Sequence, residues 1–186
     1  MLALELEEAR ILDLMATGTP IRAHMAQLDE PAADVLVEAF VGHYRRKREG
    51  LARPFPGMSR LLRRLRARGI SVAVVTSKLR EDSVAELAAT GLDESVEFVI
   101  AFEDTDEHKP SPTPHFEALR RLGADSGIGV GDLPSDVLSA RAAGLSALAV
   151  CWGYGDPAAL LQAGAECVCD TAEELAEALE GRVIQN

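Results

Sequence analysis

From Gly57 onward the chain alternates short apolar, β-branched runs with helical stretches of about ten residues, and no other feature restricts the fold as much. Ile70-Ser-Val-Ala-Val-Val-Thr76, Phe98-Val-Ile-Ala101, Ile128-Gly-Val-Gly131, Leu145-Ser-Ala-Leu-Ala-Val150 and Cys167-Val168 read as strands. Helices are predicted over 58–68, 80–90, 113–122, 134–143, 157–162 and 171–180, with Gly69, Gly91, Gly123 and Gly144 as stops. The strand runs are apolar at successive positions, which suits strands buried on both faces. Alternation of this kind specifies right-handed βαβ units, hence an α/β fold with a parallel, Rossmann-like sheet.

Residues 2–50 carry a different rhythm. Apolar positions recur at helical spacing through Leu4, Ile11, Leu14, Ile21, Met25, Val35, Phe40 and Tyr44, and Pro20 and Pro31 sit where new helices would start. Leu51-Ala-Arg-Pro-Phe-Pro-Gly57 then packs two prolines and a glycine into one short stretch, a hinge signal. The predicted organisation is a helical segment at 1–50, a hinge at 51–57 and an α/β core at 58–186. A chain of 186 residues buries enough surface to fold without a disulfide or zinc staple, and three cysteines are too few for a disulfide framework. No run of 18 apolar residues marks a membrane span, and the acidic start MLALELEEAR is not a secretory signal, so a cytoplasmic protein is expected. A net charge of −11 argues against general nucleic-acid binding. Ten of the nineteen basic residues nevertheless fall between Arg45 and Arg68. No aromatic residue interleaves them between Arg45 and Arg53, so they read as solvated helix faces with a supporting pull on an anionic small molecule. Nothing in the pattern specifies an oligomer.

In sheets of this type ligands bind beyond the carboxyl ends of the strands. Those ends carry Thr76-Ser77-Lys78, Glu103-Asp104 followed by His108-Lys109-Pro110, Gly131-Asp132 with Asp136 four residues on, and Trp152-Gly-Tyr-Gly155. Hydroxyls, an ammonium and two carboxylates would converge on one rim, a set suited to magnesium-assisted phosphoryl chemistry. Thr76 and Ser77 can bond phosphate oxygens, Lys109 can offset their charge, and Mg2+ accepts a few carboxylates beside phosphate and water. Each has a plainer alternative. Asp132 and Asp136 also suit a helix start, Lys109 a surface loop, and Thr76 and Ser77 a cap for the helix at 80–90. His24, His43, His108 and His115 lack metal-ligand spacing and read as surface or packing residues, and Cys167 and Cys169 as buried small hydrophobes. Gly129-Val-Gly131 is not a dinucleotide fingerprint, and no G-x-S-x-G is present.

Val74-Val-Thr-Ser-Lys78, His108-Lys-Pro-Ser-Pro112 and Val130-Gly-Asp-Leu-Pro-Ser-Asp136, followed by Ala140-Arg-Ala-Ala-Gly144, resemble the motifs of the haloacid dehalogenase superfamily in order and spacing. Over about residues 18–182 the chain looks like the phosphoglycolate phosphatase-like branch, which carries a helical cap. The resemblance implies a Mg2+-dependent phosphatase acting on a small phosphorylated metabolite through an aspartyl-phosphate. Thr76 would bond the transferring group, Lys109 would stabilise its charge and the nucleophile, Asp132 would bind magnesium, and Asp136 would complete or orient that shell. Leu133 stands where a small residue is usual. The family's nucleophile lies in an Asp-x-Asp-x-Thr segment ending a first core strand ahead of the cap. Here the one echo is Asp13-Leu-Met-Ala-Thr17, with Met15 in the acid's place and helical periodicity on both sides. The expectation is therefore a sheet lacking its usual first, central strand, between the strands ending at Thr76 and Asp132. The cap is expected to be partial and the chain to be part of a longer protein, inactive as it stands. The alternatives are a catalytically dead relative that binds phosphate or a protein, and a response-regulator-like or nucleotide-binding module, which would need a phosphoacceptor aspartate ending an early strand.

Overall fold

The computed structural model describes residues 21–48 and 52–183. The helical reading of residues 2–20, the Asp13–Thr17 echo and the first hinge residue lie outside that range. Helix α1 (Ile21–Leu28) leads to a short 3-10 turn whose first bond is made by the Asp29 carboxylate, 3.3 Å from the Ala32 amide, with Pro31 inside the turn. Helix α2 (Ala33–Arg48) completes the N-terminal segment.

The core then runs α3 (Met58–Ala67), β1 (Ala73–Val75), α4 (Arg80–Thr90), β2 (Phe98–Ile100), α5 (Thr113–Leu122), β3 (Ile128–Gly131), α6 (Pro134–Ala142), β4 (Ser146–Val150), α7 (Pro157–Gln162), β5 (Val168–Cys169) and α8 (Ala172–Val183). Helices α4 and α5 stop at Gly91 and Gly123, whose φ angles of 66° and 63° only glycine adopts without strain. Every strand but β3 differs from expectation at an edge: β2 stops at Ile100 rather than Ala101, β4 begins at Ser146 rather than Leu145, and β1 and β5 differ at both ends. The run at 70–76 is strand only over Ala73–Val75: the Ile70 amide closes α3 onto the Leu65 carbonyl (3.0 Å), and the first bond to the neighbouring strand's side is made by the Val72 carbonyl, which accepts the Glu97 amide (2.8 Å). Ile70 and Val72 pack on the core instead. The last strand sits one residue later than Cys167-Val168.

All strand pairing is parallel: β1 with β2, and β3 with β4 with β5. Among the described residues no strand joins β1 to β3, so the strands form two sheets with a seam between them. Helix α5 packs on β1 and β2 and also on α6, crossing that seam. Residues of β4 alternate between two cores. Leu148 and Val150 join Leu61, Leu65, Leu175 and Leu179 beneath α3 and α8, while Ala147 and Ala149 join Val137, Ala140 and Leu160 beneath α6 and α7. The basic stretch at 45–68 meets acids from other elements. Arg45 pairs with Asp82 and Glu81 (2.8 Å each), Arg60 with Glu173 (3.2 Å), and Arg64 and Arg68 with Glu180. These pairs dock α2 on α4 and α3 on α8.

Candidate functional site

The rim is built where strands end. The Thr76 amide extends the β1 ladder to the Ile100 carbonyl (2.9 Å), and its Oγ1 accepts the Lys78 amide (3.1 Å). A hydroxyl that accepts there keeps its proton for another acceptor. The helix-cap alternative for Thr76 and Ser77 does not hold, because the Glu103 carboxylate takes the Arg80 amide at the start of α4 (3.0 Å). Ser77 is exposed beside Thr76. Lys78 turns aside, with its Nζ donating to Glu86 (2.6 Å) and to the Tyr44 hydroxyl of α2 (3.1 Å).

Lys109 is no surface lysine: its side chain and that of Asp136 are each 13% exposed. Its Nζ lies 2.5 Å from Asp136 Oδ1 and 3.4 Å from the Val75 carbonyl, so one ammonium touches the end of β1 and the start of α6. Its loop is tightly tied. The His108 ring stacks on Phe102 with centroids 3.8 Å apart, and the Ser111 amide returns to the His108 carbonyl (2.9 Å). Glu107 accepts the Ser111 and Thr113 hydroxyls (2.6 and 2.8 Å), which hold its carboxyl below the usual range. The Lys109–Pro110 peptide bond is cis.

Asp136 takes the helix-start role that its spacing allowed and adds an ion pair. Its Oδ2 accepts the Leu133 and Asp132 amides (3.0 and 3.2 Å), so it closes the α6 terminus, while Oδ1 meets Lys109. Asp132 points into the same rim and accepts the Tyr154 amide through Oδ2 (2.9 Å). The Trp152-Gly-Tyr-Gly155 loop presses so close that a Cβ on Gly153 would strike the Asp132 carboxylate, and one on Gly155 its carbonyl. A Cβ on Gly131 would strike Asp136. Sequence reasoning placed this loop at the rim and gave it no task; its glycines make room for Asp132.

Thr76, Lys109, Asp132 and Asp136 therefore share one rim, with Ser77 at its outer edge. The donor set suits a hard divalent ion that brings much of its own shell, since magnesium takes one or two protein carboxylates and fills the rest with phosphate and water. Among the described residues no group of three or more His, Cys, Asp or Glu could cage a metal alone. Behind the rim lies a contact the sequence did not signal. His115 Nδ1 is 2.8 Å from Ser139 Oγ, and that hydroxyl donates to the Ser111 carbonyl (2.6 Å). Burial, then the Lys109 ammonium, push the imidazole pKa down to about 4, against the opposing pull of Asp136.

Comparison with known proteins bears on family and fold. A family model described as haloacid dehalogenase-like hydrolase matches residues 4–150. The plasmid phosphoglycolate phosphatase of Cupriavidus necator is 37% identical over 141 residues, covering 75% of this chain and 61% of that protein. The pyrophosphatase PpaX of Halalkalibacterium halodurans is 31% identical over 139 residues, covering 74% of this chain and 64% of its own length. The chain thus spans less than two thirds of these curated relatives. A hydrolase from Pseudomonas syringae superposes with a TM-score of 0.81 at 23% identity, over 96% of this chain and 84% of that one, and shows the shared fold.

Proposed function

Because this chain belongs to the haloacid dehalogenase-like hydrolase family, in its phosphoglycolate phosphatase-like branch, we propose that its rim binds the phosphate of a small phosphorylated metabolite together with Mg2+, as part of a phosphoric monoester hydrolase. The observation that carries the reading is the buried Lys109 ammonium, held between the end of β1 and Asp136 at the strand ends where Thr76 offers a hydroxyl proton. Lys109 offsets phosphate charge, Thr76 and Ser77 donate to its oxygens, and Asp132 is the residue that would hold Mg2+. Bound there, the ion would draw charge from the phosphoryl oxygens. Asp136, with both oxygens engaged, orients Lys109 and the Asp132 backbone rather than reaching for the ion.

The same bookkeeping leaves the rim short of a nucleophile among the described residues. Asp136 has both oxygens engaged, by Lys109 and by two backbone amides, and Asp132, whose Oδ2 accepts the Tyr154 amide, is the residue assigned to the ion, so neither is left as the nucleophile. The reading is therefore phosphate and magnesium binding without turnover by these residues alone. A catalytically dead phosphate-binding relative shares that geometry, and turnover separates the two. Helices α1 and α2, within the segment 1–50, would close the rim about the 51–57 hinge, and opening must break the contacts of Lys78 with Tyr44 and of Arg45 with Asp82. The expected setting is cytoplasmic, without nucleic acid. Among the described residues no helix is long and apolar enough to cross a membrane.

Orthophosphate with Mg2+ at about a hundred times its dissociation constant is expected to raise the melting temperature by roughly 5–10 °C. Asp132→Asn should remove the magnesium share of that shift and Lys109→Met the phosphate share. No shift with either ligand overturns the reading. Hydrolysis of p-nitrophenyl phosphate by this chain, lost in Asp13→Asn, would overturn the expected inactivity and locate the nucleophile.

A further inference from the structure

We propose that His115 and Ser139 are positioning residues for Lys109: the Nδ1–H of His115 turns the Ser139 hydroxyl proton onto the Ser111 carbonyl, and this bond keeps the Lys109 ammonium at the phosphate rim. The inference rests on the proposed function only in assigning Lys109 to phosphate.

The argument begins with proton accounting. A serine hydroxyl has one proton and two acceptor sites. Ser139 is fully buried, and its proton goes to the Ser111 carbonyl at 2.6 Å. The contact with His115 at 2.8 Å is then one in which the hydroxyl accepts, so the imidazole carries its proton on Nδ1. Its Nε2 lies over Gly129 of β3, 3.7 Å from where a Cβ would stand, and finds no hydrogen-bond partner among the described residues. An imidazole with its pKa near 4 is neutral at neutral pH, which leaves the single tautomer that this accounting requires.

Geometry gives the bond its consequence. The loop carrying Lys109 is attached to α6 at two points. Lys109 meets Asp136, and Ser111 meets Ser139, one helical turn further along. The loop's own bonds hold its shape, and two attachments rather than one fix how that shape sits on α6. Both cross the seam between the two sheets, as does α5, which carries His115. No strand among the described residues joins β1 to β3, so these side chains do part of the work that a hydrogen-bonded ladder does elsewhere. His115 touches neither Lys109 nor the rim through a hydrogen bond and acts through Ser139 and Ser111.

The sequence holds three lysines, Lys47, Lys78 and Lys109, so ammonium signals in a lysine-15Nζ-labelled sample are assignable with Lys109→Arg. In the unmodified protein the imidazole nitrogens should show Nδ1 protonated and Nε2 bare. Nε2 protonation at neutral pH overturns the proposal without any variant. The Lys109 ammonium should give a resolved, slowly exchanging signal. His115→Leu and Ser139→Ala should collapse it into the fast-exchanging pool and weaken orthophosphate binding about tenfold, the scale of one lost positioning bond. His115→Asn, whose amide can donate from the Nδ1 position, should restore both. A Lys109 signal unchanged in the two disruptive variants, or an Asn variant as impaired as the Leu variant, overturns the proposal. An unmodified protein that shows the ammonium signal and tautomer but binds no phosphate refutes the proposed function and leaves the positioning role standing.

Discussion

The inner strand of the larger sheet and the two strands that border the seam are built to different standards. In β4 every residue after Ser146 is buried, and its neighbours fill cores on both faces. In β1 every residue is only half-buried, and in β3, across the seam, Val130 is 44% exposed. Packing concentrates around β4, while the candidate site lies along the seam, where polar side chains rather than a strand ladder make the connection. The lesson is a division of labour. Apolar burial away from the rim supplies stability, and the seam supplies a cluster of buried charge that packing alone would not tolerate.

That contrast is most exposed to test in its packing. Leu148→Ala removes a fully buried side chain from the centre of a filled core and is expected to cost about 2–5 kcal/mol in urea unfolding. Val74→Ala, at the half-buried centre of β1, should cost under about 1 kcal/mol. Equal losses would break the comparison.

How much of this was legible beforehand depended on range. Strands and their carboxyl ends could be read because apolar runs and glycine stops are local signals; strand ends offered Thr76, Lys109, Asp132 and Asp136 as candidates beside plainer readings, and the motif order singled them out. The onset of β1 was misplaced because Ile70 is apolar for a different reason: it packs on the core while its amide finishes α3. The burial of Lys109 could not be read, since a lysine in a Pro-Ser-Pro loop looks the same whether its partner is water or Asp136, 27 residues away. His115 and Ser139 were unreadable for a stricter reason. They are 24 residues apart on separate helices, and neither type signals the other until α5 and α6 pack. The seam was anticipated only through the family resemblance, because hydrophobic periodicity does not report which strands are neighbours.

Acidification sharpens the comparison from the seam side. The His115 pKa near 4 lies below the ordinary 6.5, so between those values the unfolded chain binds more protons than the folded one. Stability is therefore fully present above about pH 6.5 and is lost as pH falls towards 4. The 2.5-unit difference, discounted for partial exposure, corresponds to something on the order of 2 kcal/mol. Unfolding of the unmodified protein should weaken over that window, and His115→Asn should flatten this part of the profile. Leu148→Ala should lower the whole curve without changing its shape. A pH slope that survives in His115→Asn would assign the loss to other groups.

The smallest expected effect concerns the helices outside the core. Arg45 of α2 holds Asp82 through two nitrogens, at 2.8 and 3.4 Å, and Asp82 is buried although it sits in the first turn of α4. Charge-assisted bonds at a partly buried carboxylate are worth more than exposed pairs, yet they tie down a helix that contributes little to either filled core. Arg45→Ala should therefore lower amide-exchange protection in α2 by about tenfold and leave protection in β4 unaltered. Protection in β4 that falls in step with α2 would mean that the N-terminal helices and the β4 core open together, and the division between a packed region and a charge-stitched one would then be wrong at its outer boundary.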